Sequence, residues 1–141
     1  MLKLPLALLV LLGTCAAQDT HPLAELQTTA RVLMVFAPDT SSVNFKRQLE
    51  LIEHHSYELA ERNTVVVPVS QPVAGVEMHI SGENLPLSTS GDQADARNRY
   101  HVKPGEFLVV LISQNGTEEI RSASPVDIHR LTAKLDSMPR H

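Results

Sequence analysis

The chain has 141 residues, with 12 basic and 16 acidic side chains and seven histidines, for a formal charge of −4 at neutral pH. No cluster of lysine and arginine emerges along it, which argues against nucleic acid or an anionic membrane surface as a partner. Cys15 is the single cysteine, so a disulfide framework is excluded.

The first elements belong to a leader. Lys3 precedes an apolar core from Leu4 to Leu12, and small residues follow up to Ala17, the pattern of a secretory signal peptide. The core is about half of the roughly 20 residues that span a bilayer, so no permanent membrane span is expected. Cleavage after Ala17 removes Cys15 and with it thiolate nucleophiles, thiol–disulfide exchange and cysteine–metal sites. A rival reading is a lipoprotein box, Leu12-Gly13-Thr14-Cys15, with a lipid anchor on Cys15; Thr14 fits such a box poorly. The reading therefore divides the chain into a signal peptide at 1–17, an N-terminal segment at 18–28 and one domain at 29–140. About 124 residues remain after cleavage, enough for a core without staples. With Lys3 gone from the 12 basic residues, 11 face 16 acidic ones, a mildly acidic surface.

Three apolar runs follow: Val32–Phe36, Val65–Val69 and Phe107–Ile112. Their β-branched content predicts strands, and their unbroken apolarity predicts strands covered on both faces. Between the first two, Phe45, Leu49, Ile52, Ser56 and Leu59 recur at helical spacing, while Arg47, Glu50, His54, Glu58 and Glu61 fall opposite. Strand, helix and strand at this length predict a right-handed βαβ unit. The stretch from Val73 to Ala96 is punctuated by Gly75, Gly82, Pro86 and Ser88-Thr89-Ser90-Gly91, and reads as a loop with a short strand at Glu77–Ile80. A short helix is predicted around Asp95–Tyr100. Asn115-Gly116 is a favoured hairpin turn, from which Thr117–Arg121 returns antiparallel. Ser124-Pro125 then predicts a helix start with serine as N-cap, and Ile128, Leu131, Leu135 and Met138 give that last helix one apolar stripe.

This order of elements is the thioredoxin-like arrangement. In thioredoxins the active cysteines follow the first of these strands, and "APDTSS", Ala37–Ser42, stands in that place here. The chain further resembles the P-DUDES family, a thioredoxin-like domain of unknown function in secreted bacterial proteins and in animal matrix proteins such as equarin and the sushi-repeat-containing proteins. The resemblance is carried by Arg31 ahead of "VLMVFAPD", Gln48-Leu49, Arg62, Arg97 and Tyr100, Phe107–Ser113 running into Gly116, Arg121, and the closing Asp136-Ser137-Met138-Pro139-Arg140. It departs at the hairpin, where relatives carry Lys-Asp-Gly and this chain has Gln114-Asn115-Gly116. It spans residues 29–140 and implies an α/β fold with a central mixed sheet of about four to five strands and helices on both faces. It implies an extracytoplasmic compartment and no particular reaction.

Candidate ligand-binding residues are Asp39, Thr40, Ser41, Arg97 and Arg121. Backbone N–H groups and hydroxyls near Thr40–Ser42 can hold a carboxylate, phosphate or oxyanion, and an arginine close by deepens such a site. The plainer alternatives are that Asp39, Thr40, Ser41 or Ser42 caps the helix, and that the arginines form ion pairs with Asp39 or Asp136. An enzyme at the same position would use Asp39 as acid or base, with a raised carboxyl pKa as its signature. Ser41 has neither a nucleophile-elbow motif nor a histidine at a compelling spacing. Glu50, His54 and Glu58 share a helical spacing, but they lack a zinc-protease signature and a solvated face explains them. No cofactor and no metal site is expected. The partner is expected to be an unidentified protein or a small anionic ligand, and the function that of a secreted or periplasmic binding or interaction module.

Overall fold

The computed structural model describes residues 29–71 and 90–139. Their elements are β1 (Arg31–Asp39), α1 (Val43–His54), α2 (Ser56–Glu61), β2 (Thr64–Gln71), α3 (Ser90–Arg99), β3 (Leu108–Ile112), β4 (Glu118–Ser122) and α4 (Ile128–Ser137). Four strands form one mixed sheet in the order β2-β1-β3-β4. β1 runs parallel to β2 and antiparallel to β3, and β3 is antiparallel to β4. β1, β2 and β3 are buried almost throughout, which is why they read as apolar runs without alternation.

Each face of the sheet carries its own core. Leu33, Val35, Val66, Val109 and Leu111 pack with Phe45, Leu49, Ile52 and Leu59 of the first two helices and with Leu131 and Leu135 of α4. On the other face Met34, Phe36, Val67, Val69 and Val110 pack with Ala96 and Tyr100. The helices thus cover both faces, as the alternation of elements requires.

The helix expected over Phe45–Leu59 is two helices. The backbone leaves helical geometry at His55 (φ −124°, ψ 23°), whose side chain pairs with Glu58 at 3.0 Å across the first turn of α2. α3 begins at Ser90 rather than Asp95; its face toward the sheet is short and partly polar, so the apolar period that would reveal it is weak. The last helix starts at Ile128, not near Ser124-Pro125. Asp127 is its N-cap, accepting from the His129 N–H at 2.7 Å, while Ser122 Oγ donates to the Ser124 carbonyl at 2.8 Å in the connection before it. The strand expected at Glu77–Ile80 lies outside the described residues.

Gln48 ties the layers together. It lies wholly buried on α1; its amide nitrogen donates to the Val126 carbonyl at 3.2 Å and its amide oxygen accepts from the Val126 N–H at 2.6 Å. One side chain therefore satisfies both main-chain groups of a buried residue that has no strand beside it.

Candidate functional site

The junction after β1 forms a closed turn. Between Phe36 and Asp39 the pairing of β1 with β2 slips, so that Phe36 faces Val69 but Asp39 faces Gln71. Pro38, which has no N–H to offer a ladder, sits inside this irregularity. Beyond it, the Thr40 N–H donates to the Gln71 carbonyl at 2.9 Å, the Ser41 N–H to Asp39 Oδ1 at 2.8 Å, and the Ser42 N–H to the Asp39 carbonyl at 3.3 Å. All three N–H groups that the sequence offers to an anion are engaged inside the protein. The Ser41 hydroxyl also donates to Asp39 Oδ1, and Thr40 is only 5% exposed.

Asp39 closes the turn on Ser41, and Ser42, at the N-cap of α1, makes no side-chain cap bond. The hydrogen bonds from the Ser41 side chain and backbone hold the Asp39 carboxyl below its ordinary value. That is the opposite direction from a tuned general acid.

Arg97, in the last turn of α3, reaches the same end of the sheet from the other face. One of its terminal nitrogens, Nη2, donates to the Ala37 carbonyl at 2.6 Å, inside the β1 irregularity, and lies 3.4 Å from the Val69 carbonyl. Its guanidinium carbon stands 5.9 Å from the centre of the Phe36 ring, which in turn packs at a tilt on Tyr100. Nη1 is buried and has no hydrogen-bond partner among the described residues. Burial lowers the guanidinium pKa from its ordinary value, and arginine stays charged in any case. Beside it, Gln71 donates to Gln93 on α3 at 3.3 Å.

The structure does not bring the predicted site residues into one constellation. Asp39 and Ser41 meet, Thr40 turns inward, and Arg97 approaches the main chain at Ala37 and Val69 rather than the Asp39 side chain. Arg121 lies on β4, where it donates to the Tyr100 carbonyl at 2.9 Å and the His101 carbonyl at 3.3 Å and pairs with Glu118. Neither arginine pairs with Asp39 or Asp136; Asp136 is held by Arg62, at 2.8 and 3.2 Å. On the α1 face His54 Nδ1 donates to the Glu50 carbonyl at 2.8 Å and Glu58 is taken by His55. Among the described residues no group of three histidine, cysteine, aspartate or glutamate side chains is placed to hold a metal ion.

The opposite end of the sheet is closed by Arg31, which is 5% exposed. Its guanidinium donates to the carbonyls of Arg62 and Pro139, at 2.9 and 3.2 Å, just past the C-terminal ends of α2 and α4. A positive charge is favoured at both helix ends. A recess of about 50 Å³ beside it, lined by Arg31, Ser113, Asn115, Glu119 and Pro139, has room for a few waters but not for a cofactor. In the sequence Arg31 and Gln48 stand out only as carriers of the family resemblance, with no role assigned, and Gln71 and Gln93 do not stand out; Gln48 also carries a signal of its own, a polar residue inside the apolar stripe of Phe45, Leu49 and Ile52.

The chain belongs to the family described as "Domain of unknown function (DUF4174)", whose match covers residues 22–141. No curated protein matches it. Among solved structures it is similar to the reduced 2-Cys peroxiredoxin of Plasmodium vivax, at 16% identity and a TM-score of 0.60 over 82% of this chain and 80% of that one. It is also similar to a putative thiol:disulfide interchange protein DsbE of Chlorobium tepidum, at 13% identity and 0.57 over 80% and 84%. Thioredoxin of Wuchereria bancrofti aligns at 16% identity and 0.53 over 80% and 85%. At these identities the likeness shows the fold, which is thioredoxin-like. The thiol chemistry of those proteins does not transfer with it, because residues 16–141 contain no cysteine.

Proposed function

We propose, from membership of a family of unknown function built on a thioredoxin-like frame, that the protein is an exported binding or interaction module without redox chemistry. One observation carries this reading: the segment after β1, where thioredoxins place their cysteines, is a closed Asp39–Ser41 turn without a thiol. A dithiol mechanism has no second thiol in this chain. Ligand or partner is met at the end of the sheet where the parallel strands β1 and β2 finish, the end at which open α/β sheets bind.

Export rests on the leader at 1–17, and the finer resemblance to P-DUDES supports the same compartment. Among the described residues no helix is long and apolar enough to cross a membrane. Mass spectrometry of the exported protein tests this part: an unmodified Gln18 N-terminus supports signal-peptide cleavage, and a lipid on Cys15 refutes it.

The binding reading is tested by a thermal-shift screen of the purified protein against carboxylates, phosphate, sugars and divalent metals, repeated on Asp39→Ala and Arg97→Ala. A ligand at 100 times its Kd adds about 2.7 kcal/mol. A stabilising ligand whose effect is lost in either variant supports a site at this end of the sheet. Ligand effects that ignore both variants, or no effect from any class, refute it.

A further inference from the structure

We infer that Asn115 is a self-modifying site: in the folded protein its side-chain amide closes on the Gly116 nitrogen and reopens as aspartate or isoaspartate, leaving a carboxylate at the recess that Arg31 lines. Asn115-Gly116 is the one asparagine–glycine pair in the sequence, and Asn115, Gly116 and Thr117 are all exposed at the tip of the β3–β4 hairpin. The hairpin also holds the amide in place. Asn115 Oδ1 accepts from the Thr117 N–H at 3.0 Å and from the Ser113 hydroxyl. Two donors thus converge on the oxygen that turns into an oxyanion when the amide carbon is attacked, the arrangement that stabilises tetrahedral intermediates of acyl transfer.

Glycine suits the nucleophile because it has no Cβ beside the attacking nitrogen, and the space around Gly116 is open. The Gly116 N–H releases the Ser113 carbonyl, 2.9 Å away at the exposed tip, and its proton passes to solvent hydroxide. The nitrogen bonds to Asn115 Cγ and negative charge collects on Oδ1 beneath its two donors. The Cγ–Nδ2 bond then breaks, and Nδ2 takes a proton from water and leaves as ammonia. Water opens the cyclic imide that remains. Attack at Cγ gives aspartate on the original main chain; attack at the Asn115 main-chain carbonyl gives isoaspartate, with the chain rerouted through the side chain. The sum is amide plus water to carboxylate plus ammonium, with nothing oxidised or reduced. Asn115, Glu119 and the buried Arg31 line the same recess, so conversion makes its lining more negative.

The test incubates the whole folded protein at mildly alkaline pH and follows released ammonia together with the mass of the hairpin peptide. The expected result is conversion at Asn115 with a rate that rises with hydroxide, and no conversion at this position in Asn115→Gln, whose ring would be larger. Gly116→Ala should convert at least about tenfold more slowly and Ser113→Ala about threefold more slowly. Ser113→Ala leaves the glycine in place, so the test survives if Gly116→Ala distorts the hairpin. An Asn115 that stays intact in the folded protein while it converts in the urea-unfolded chain marks a protected turn and overturns the inference. A Ser113→Ala protein that converts at the wild-type rate overturns it as well.

Discussion

Replacing Gln48 by leucine tests whether one buried amide holds the last helix onto the first. The substitution keeps the volume roughly constant on a wholly buried site, so cavity formation is a small part of its effect. What it removes is the pair of bonds to Val126, at 2.6 and 3.2 Å, leaving a buried N–H and a buried carbonyl without partners. Each orphaned group costs about 1–3 kcal/mol, and leucine regains part of that by adding apolar contact. The expected loss is about 2–4 kcal/mol, a fall in Tm of roughly 8–20 °C for a domain of this size. Urea unfolding with an unchanged m value checks it, since only the native state is altered. Gln48→Glu sharpens the test. Its carboxylate accepts from the Val126 N–H but meets the Val126 carbonyl with no proton to give, and burial raises its folded pKa. A raised carboxyl pKa places its stabilising form at low pH, so this variant should approach the wild type as pH falls below about 5. A Gln48→Leu protein within about 0.5 kcal/mol of wild type, or a Gln48→Glu protein with no such pH trend, refutes the reasoning.

Asp39→Asn should flatten the acid limb of the stability curve. The Asp39 carboxyl is depressed by its bonds to Ser41, so its contribution is complete above its unfolded pKa and disappears as pH falls through the lower folded one; urea midpoints between about pH 5 and pH 2 read the difference. Gly116 sits at φ +84° in the hairpin turn, and Gly116→Ala should cost about 1 kcal/mol by backbone strain alone because the space around it is open; thermal unfolding checks this. A double-mutant cycle on Arg62 and Asp136 should give a coupling of at most about 1 kcal/mol that shrinks at high salt, because the carboxylate is half exposed.

The sheet was legible because its interior strands are covered on both faces and so announce themselves as apolar runs. α1 was legible through Phe45, Leu49 and Ile52, whose spacing is that of a half-buried helix. The break at His55 was not, since no glycine or proline marks it and Leu59 resumes an apolar position after it. The start of α4 was misplaced because Ser124-Pro125 and Asp127 offer two caps within four residues, and only tertiary packing chooses between them: Gln48 claims the Val126 backbone, which holds the chain extended up to Asp127. At the candidate site, residue types predicted a helix cap or an anion site, and the structure has instead a turn that Asp39 closes on Ser41, with no side-chain cap bond from Ser42. Whether an N–H group near Thr40 is free depends on the Gln71 carbonyl, an atom no local pattern reveals. Arg97 was named from its chemistry, yet its missing acceptor is a property of packing alone.

The two ends of the sheet differ in how completely their arginines are bonded. Each carries an arginine that is largely withdrawn from water and bonded to main-chain carbonyls. At the Arg31 end the account closes: two nitrogens reach the carbonyls of Arg62 and Pro139, two helix C-termini supply the compensating negative field, and Arg62 adds its own bond to Asp136. That end fastens the start of β1 to the segment just past the C-terminus of α4. At the Arg97 end Nη2 is fixed, and Nη1 has no hydrogen-bond partner among the described residues. The asymmetry between the two arginines is therefore one of packing: Arg31 is bonded through both terminal nitrogens where two helices end, and Arg97 through Nη2 alone.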